Sequence, residues 1–284
     1  MGSGGLQTPS WKAIRDGLRG DGFAIVDNFL DGADLLALRQ ECEAVVEATL
    51  ARLRCPYSNG DQVARVSGCI FQPVRPDCDG VHGLGGYLQA RKAWPCSTRV
   101  AELLLGGKMR ELVKHCLGTG GFVFNDQYIV KPPSSQLTAF KWHRDSDQLC
   151  ASEVDYQPYI SVWCALDNMT EGNGALTLLP GSAVSWQSDA ASARPEMDAR
   201  LCSNMPDSTA LDRQVVANIS AGSLVVLSDT VLHRSGPNLS SFSRRAWMPQ
   251  FSSKPILCKA TGCPIAHAVP LEALQEPGNV NHDS

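Results

Sequence analysis

The sequence predicts an α+β protein, with helices in its first half and an antiparallel β core of jelly-roll type in its second. Three observations carry this. Apolar residues between 33 and 54 recur at helical spacing. After Gly121 the texture changes to short apolar runs, several of them alternating. Turn segments such as "NMTEGNG", "SAG" and "SGPN" separate those runs. Many short strands joined by tight turns bury their faces against one another in a sandwich or barrel.

Taken in order, "GDGFAIVDNFL" (20–30) is a short strand entered through a Gly-Asp-Gly turn. Asp31 is placed as a helix N-cap. The helix runs from Ala33 to Arg54, with Leu35, Leu38, Cys42, Val45, Val46, Leu50 and Leu53 on its apolar face. Residues 55–92, rich in Gly, Pro and Asp, are expected to be mainly loops. A second helical region spans about Ser97 to Cys116, interrupted near Gly106-Gly107 and stopped by Gly118. Strands follow at 122–130, 137–143, 158–168, 174–182, 222–229 and 243–253. In the third of these, Ile160, Val162, Cys164 and Leu166 share one face, and Ser161, Trp163 and Ala165 the other. No linker divides helices from strands and no repeat occurs, so residues 1–284 are expected to form one domain.

Bulk properties narrow the function. The chain is 43% hydrophobic and 19% charged, with a net charge of -4 and no sustained Lys/Arg run. That disfavours a nucleic-acid or acidic-membrane partner. No window is apolar enough to span a membrane, and no signal peptide or C-terminal peroxisomal tripeptide is visible, so a cytoplasmic location is expected. The 11 cysteines are odd in number and irregularly spaced; Cys258 and Cys263 are five apart. Reduced thiols fit this better than a disulfide framework or a structural zinc site.

The stretch "KWHRDSD" (141–147) sets His143 and Asp145 two apart, on one face if the segment is a strand. An ion pair, a catalytic dyad and a pair of metal ligands all satisfy that spacing. His233 follows the apolar run "GSLVVLSD" and precedes the turn "RSGPN", a place suited to presenting a side chain into a cavity. Two imidazoles and one carboxylate are the facial triad of non-haem Fe(II) oxygenases, which leaves three coordination sites open for a bidentate co-substrate and dioxygen. If that co-substrate is 2-oxoglutarate, its far carboxylate needs a cation. Arg244, eleven residues after His233, is the candidate. In a strand it points opposite to its neighbour Arg245. Ser235 can add a hydroxyl donor. Asp147 is a rival ligand to Asp145, and Arg245 to Arg244.

With "WHRDSDQ", "SVWCALDNMTEGNGALTLLPGS" and "GSLVVLSDTVLHRSGPNLSSFSRRAWMPQF" in view, residues 20 to 252 resemble the phytanoyl-CoA dioxygenase family. The resemblance implies a double-stranded β-helix (jelly-roll/cupin-like) core flanked by N-terminal helices, with Fe(II), 2-oxoglutarate and dioxygen as cofactor and co-substrates. It implies His143, Asp145 and His233 as metal ligands, and Arg244 and Ser235 as partners of the far carboxylate. It also implies Trp163 and Gln127 as residues near the co-substrate. The expected reaction is hydroxylation of an unactivated C–H bond of a small organic or acyl substrate, with 2-oxoglutarate decarboxylated to succinate. The alternative is a non-catalytic metal- or 2-oxoglutarate-binding sensor or scaffold of the same fold. The sequence departs from the family at Ala183, where a histidine is common, and shows no clear match to an upstream lysine that assists 2-oxoglutarate binding. For an acyl-CoA phosphate, Arg75, Arg91 and Lys92 are candidates by composition alone, and segments 55–92 and 184–217 are expected to shape the pocket.

Overall fold

The computed structural model describes residues 10–53, 70–71, 82–118, 120–149, 153–183, 206 and 208–273. Six helices occur in them: α1 (Trp11–Gly20), α2 (Gly32–Leu53), α3 (Gly83–Lys92), α4 (Thr98–Leu105), α5 (Gly107–Leu117) and the single turn α6 (Ser208–Leu211). The strands are β1 (Phe23–Val26), β2 (Ile70–Phe71), β3 (Phe122–Asn125), β4 (Tyr128–Lys131), β5 (Phe140–His143), β6 (Val154–Asp155), β7 (Tyr159–Ala165), β8 (Leu176–Leu178), β9 (Val215–Val216), β10 (Leu224–Ser228), β11 (His233–Ser235), β12 (Arg244–Trp247), β13 (Gln250–Ser252), β14 (Leu257–Cys258) and β15 (Val269–Pro270).

Local chemistry explains the helices. Asp31 accepts the Asp34 N–H at 2.8 Å, capping α2 as its position predicts. Leu38, Cys42 and Val45 are buried at i, i+4 and i+7, whereas Leu50, expected on the same face, is 43% exposed. The Gly106-Gly107 pair splits the second helical region into α4 and α5, and Gly118 ends α5 in the left-handed conformation (φ 74°). Three helices lie outside the pattern reading: α1, α3 and the single turn α6. The start of α1 is capped by Ser10, which accepts from the Ala13 N–H. α3 lies inside the region expected to be loop, because its segment "GLGGYLQARK" opens on three glycines that mask the helical run.

The large sheet is built around β7. β10 pairs along one edge of β7, with β1 beyond it. Along the other edge β12 and β13 pair in succession, the two halves of one strand broken near Pro249. β4 and β3, split at Asp126-Gln127, continue outward, followed by β2 and β15. All pairings are antiparallel. Proline explains the first break, since it has no N–H to give to a ladder. A second, four-stranded sheet runs β5-β11-β8-β9.

The two faces of the large sheet have different partners. Ile160, Val162, Cys164, Leu224, Val226 and Trp247 join the helix-side core, packed on α1, α2, α4 and α5. Trp163, Ala165, Val225, Leu227, Ala246 and Ile129 face the other way and pack with Leu176 and Leu178 of the small sheet. The expected alternation along β7 is observed. This is a jelly roll: two curled sheets enclose an interior, and helices cover the outside of the larger one.

Candidate active site

The interior face collects the chemistry. His143 is the last residue of β5 and His233 the first of β11, and the two are cross-strand partners. Their rings lie 4.2 Å apart, centroid to centroid. Asp145 departs from the simple strand picture. β5 stops at His143, and Asp145 begins a 3₁₀ turn, Asp145–Gln148. That turn swings its carboxylate back toward both imidazoles: Oδ1 lies 3.9 Å from His143 Nε2 and 3.6 Å from His233 Nε2. Two bonds between Arg144 and Asp147 close the turn: the Arg144 N–H donates to the Asp147 carboxylate at 2.8 Å, and the Asp147 N–H donates to the Arg144 carbonyl at 3.1 Å. Asp147 is exposed and engaged there, which removes it as a rival ligand.

Hydrogen bonds fix which atoms remain for a metal. His143 Nδ1 sits 2.7 Å from the Lys141 carbonyl, and His233 Nδ1 3.1 Å from the Val231 carbonyl. A carbonyl only accepts, so each Nδ1 carries a proton and each Nε2 is the nitrogen left for a metal. Asp145 is divided likewise. Its Oδ2 accepts from Ser161 Oγ and, at 3.4 Å, from Gln250 Nε2, leaving Oδ1 toward the histidines. Gln250 is itself braced, donating to Ser161 Oγ at 2.8 Å and accepting from Asn125 Nδ2 at 2.8 Å. Burial lowers the His233 pKa to about 4, with His143 acting in the same direction and Asp145 opposing, so the imidazole is neutral. Among the described residues, His143, Asp145 and His233 form the one group of three such side chains whose ligand atoms, all within 4.8 Å of one another, can converge on a single metal ion. Two imidazole nitrogens and one carboxylate oxygen suit Fe(II).

A second cluster lies deeper on the same face. Ser235 is two residues beyond His233 on β11, about 6–7 Å along the strand. Lys131 Nζ donates to Ser235 Oγ at 2.7 Å and also to the Gly236 carbonyl. Arg244 on β12 is the cross-strand partner of Lys131. It donates to the Gly174 carbonyl at 3.1 Å, and its guanidinium lies 5.4 Å from the centre of the Trp163 ring. Lys131, Arg244 and Ser235 are all buried. Gly174 is essential to the close approach. Its φ is 82°, and a Cβ there would sit 2.5 Å from the Gly236 carbonyl and 3.1 Å from Lys131 Cδ. Asn238 anchors the loop, donating to the Lys131 carbonyl at 2.9 Å and to the Phe242 carbonyl at 2.7 Å.

Of the residues singled out from sequence, His143, Asp145 and His233 meet at one point, and Arg244, Ser235 and Trp163 at another. Gln127 is buried at the break between β3 and β4, and its main-chain carbonyl accepts from the Met248 N–H. Arg245 points outward to Asp167 (2.7 Å) and Glu43, as its parity requires. Lys131, buried against Ser235, is a residue that the sequence reading does not single out. Its signal was available: a lysine closing the apolar strand "YIV" before "PP" is a charge at a buried position. Asp229 was missed as well. Its carboxyl is fully buried, and burial, then Asp145, holds its pKa well above the usual carboxylate range. Arg91 is not a phosphate ligand. It is buried between Glu41 and Asp126, at 2.6 and 2.8 Å. Cys164 faces the helix-side core, away from the metal ligands. Arg75, Cys150 and segment 184–205 lie outside the described residues. A groove lined by Cys42, Val46, Leu50, Asp167, Phe242 and Arg245 opens on the helix side of the sheet and belongs to neither cluster.

Comparison with known proteins converges on one group. The family model for phytanoyl-CoA dioxygenase matches residues 18–246. A curated dioxygenase, hkm4 of Aspergillus hancockii, is 24% identical over 230 residues, which is 80% of this chain; the match spans 66% of that relative's length. Among solved structures, the non-haem α-ketoglutarate-dependent carbocyclase SnoK from nogalamycin biosynthesis superposes with a TM-score of 0.60 at 19% identity, covering 89% of this chain and 87% of SnoK. EvdO2 from Micromonospora carbonacea var. aurantiaca, solved with 2-oxoglutarate, gives 0.57 at 20% identity, over 92% of this chain and 97% of EvdO2.

Proposed function

The chain belongs to the phytanoyl-CoA dioxygenase family, and from that premise we propose that it is an active non-haem Fe(II)- and 2-oxoglutarate-dependent oxygenase. Its reaction hydroxylates an unactivated C–H bond of a small organic or acyl substrate and converts 2-oxoglutarate to succinate. One observation carries the reading: Nε2 of His143, Nε2 of His233 and Oδ1 of Asp145 converge on one point, a strand step from a buried Lys131–Ser235–Arg244 cluster.

In this reading the two histidines and Asp145 hold Fe(II), which with 2-oxoglutarate supplies the dioxygen chemistry that no side chain provides. Arg244 and Lys131 neutralise the far carboxylate, and the Ser235 hydroxyl orients it. Two cations for one carboxylate make sense in an apolar interior, where a buried charge needs direct compensation. The separation of the two clusters along β11 suits the two ends of a five-carbon diacid. Trp163, Leu176, Leu178 and Val225 belong to the buried apolar cluster on this interior face, which in this reading keeps water from the site. Intact metal ligands beside an intact anion cluster favour catalysis over a sensor role. The carbocyclase SnoK shows that one jelly-roll site supports outcomes other than hydroxylation, so the product must be read directly.

The test is succinate formation from 2-oxoglutarate in the Fe(II)-loaded protein, screened with candidate substrates and followed by mass analysis of the products. A coupled gain of one oxygen atom is expected. His143→Ala and Asp145→Ala should abolish turnover. Undiminished succinate formation in either variant would sink the assignment.

A further inference from the structure

We propose that Cys258 and Cys263 form a redox-active dithiol, a modification site on a surface hairpin away from the metal ligands.

The geometry begins with the turn. β14 and the segment after it fold back on each other: Ile265 N–H donates to the Ile256 carbonyl at 3.0 Å and Cys258 N–H to the Cys263 carbonyl at 2.8 Å. Four residues, Lys259 to Gly262, close the loop. Gly262 supplies the left-handed step (φ 69°), and its N–H returns to the Cys258 carbonyl at 2.8 Å. Cys258 and Cys263 therefore face each other at the loop base, on one side of the hairpin. The bridge between Leu257 and Pro264 sets this register, and directly opposed antiparallel residues lie about 4.5–5.5 Å apart at Cα. A disulfide spans about 4.4–6.8 Å.

Thr261 organises both sulfurs. Cys263 Sγ donates to the Thr261 carbonyl at 3.8 Å, and the Cys263 N–H donates to Thr261 Oγ1 at 3.2 Å. The Thr261 hydroxyl and the N–H groups of Thr261 and Ala260 are directed at Cys258, holding its thiol below the usual range. Cys258 is part-exposed and Cys263 exposed. The other described cysteines contrast sharply. Burial pushes Cys42, Cys96 and Cys116 up to about 12, and Cys164 higher still. The thiolate is the nucleophile, so reactivity concentrates on the hairpin.

The oxidant is a low-molecular-weight disulfide such as oxidised glutathione. The Cys258 thiolate attacks one of its sulfurs, forming a mixed disulfide and releasing one thiolate. Cys263, giving up its proton, then attacks the Cys258 sulfur and expels the second. Two cysteine thiols are oxidised to one disulfide, one external disulfide is reduced to two thiols, and the protons pass to the leaving groups.

The test uses the full chain in glutathione redox buffers, with thiols trapped by alkylation and mapped by tryptic digestion. Cleavage after Lys259 leaves the two cysteines on separate peptides, joined only by the proposed bond. Linked peptides are expected, and Cys258 should react about tenfold or more faster than Cys42, Cys96, Cys116 or Cys164. Cys263→Ser should arrest the reaction at a mixed disulfide on Cys258. Peptides that never link, or a Cys263→Ser protein in which Cys258 is modified no faster than the buried thiols, would overturn the proposal.

Discussion

Asp145 illustrates how one carboxylate is divided between structure and chemistry. Ser161 and Gln250 occupy Oδ2, so the ligand oxygen is chosen before any metal arrives. Ser161→Ala should lower affinity for Co(II) or Ni(II), measured calorimetrically, by about 10- to 100-fold, the range usual for partners that orient a ligand. Asp147 makes the contrast. Asp147→Ala removes a turn acceptor and should cost about 1 kcal/mol in urea unfolding while leaving metal affinity unchanged. Loss of metal binding in that variant would return Asp147 to the ligand set. If the Lys131–Ser235–Arg244 cluster holds the far carboxylate, Lys131→Met should raise the KM for 2-oxoglutarate by about tenfold or more, as expected when a charge-assisted bond of about 1.5–3 kcal/mol is lost. An unchanged KM would exclude Lys131 from the carboxylate. The candidate residues of the two clusters were legible because imidazoles and charges stand beside apolar runs, and because the segments around them resemble a known family. Lys131 was equally anomalous, but its partners Ser235 and Arg244 lie more than 100 residues away, and only pairing of β4 with β12 reveals them.

At the scale of elements, helices and sheet are locked by a buried polar network. Arg91 of α3 bridges Glu41 of α2 and Asp126 between β3 and β4. Tyr87, Tyr128 and Trp247 add donors at 2.7, 2.9 and 2.7 Å. Two carboxylates share one guanidinium. Burial raises the Glu41 pKa above its ordinary 4.5, with Arg91 pulling the other way. A raised folded pKa means the native state holds the extra proton. The contribution of Glu41 to stability is thus present below about pH 4.5 and is lost as pH rises through the folded value. Arg91→Met should cost about 3–5 kcal/mol and steepen that loss. Adding Glu41→Gln should recover part of the stability, most of all at neutral pH. Urea unfolding at mildly acid and neutral pH checks this, and equal losses at both would contradict it. No sequence pattern disclosed the network, since Arg91 and Glu41 are 50 residues apart and α3 itself reads as loop.

For the whole molecule, the metal site joins elements distant in the chain. His143 and Asp145 arrive from β5 and its following turn, His233 from β11, and Ser161 and Gln250 from the large sheet. A ligand that binds only this assembled state stabilises all of it. Ni(II) or Mn(II) at about 100 times its Kd adds about 2.7 kcal/mol and should raise the Tm by several degrees. The increment should vanish in His143→Ala. A Tm that rises equally in both proteins would place the metal elsewhere.

By itself the sequence pointed to the fold class, to His143, Asp145, His233, Arg244 and Ser235 as candidates, and to the inward-outward parity that separates Arg244 from Arg245. These depend on local periodicity and on polar residues standing where apolar ones belong, and both are written in neighbouring positions. The tertiary structure decided the rest. It showed that Asp145 leaves its strand for a 3₁₀ turn, which of its oxygens is free, and that Lys131 meets Ser235. It moved Arg91 from a candidate phosphate ligand to a buried ion pair, and set Cys258 opposite Cys263. Each of these depends on pairing and burial between segments far apart in the chain, and no local pattern encodes which partner a buried charge will find.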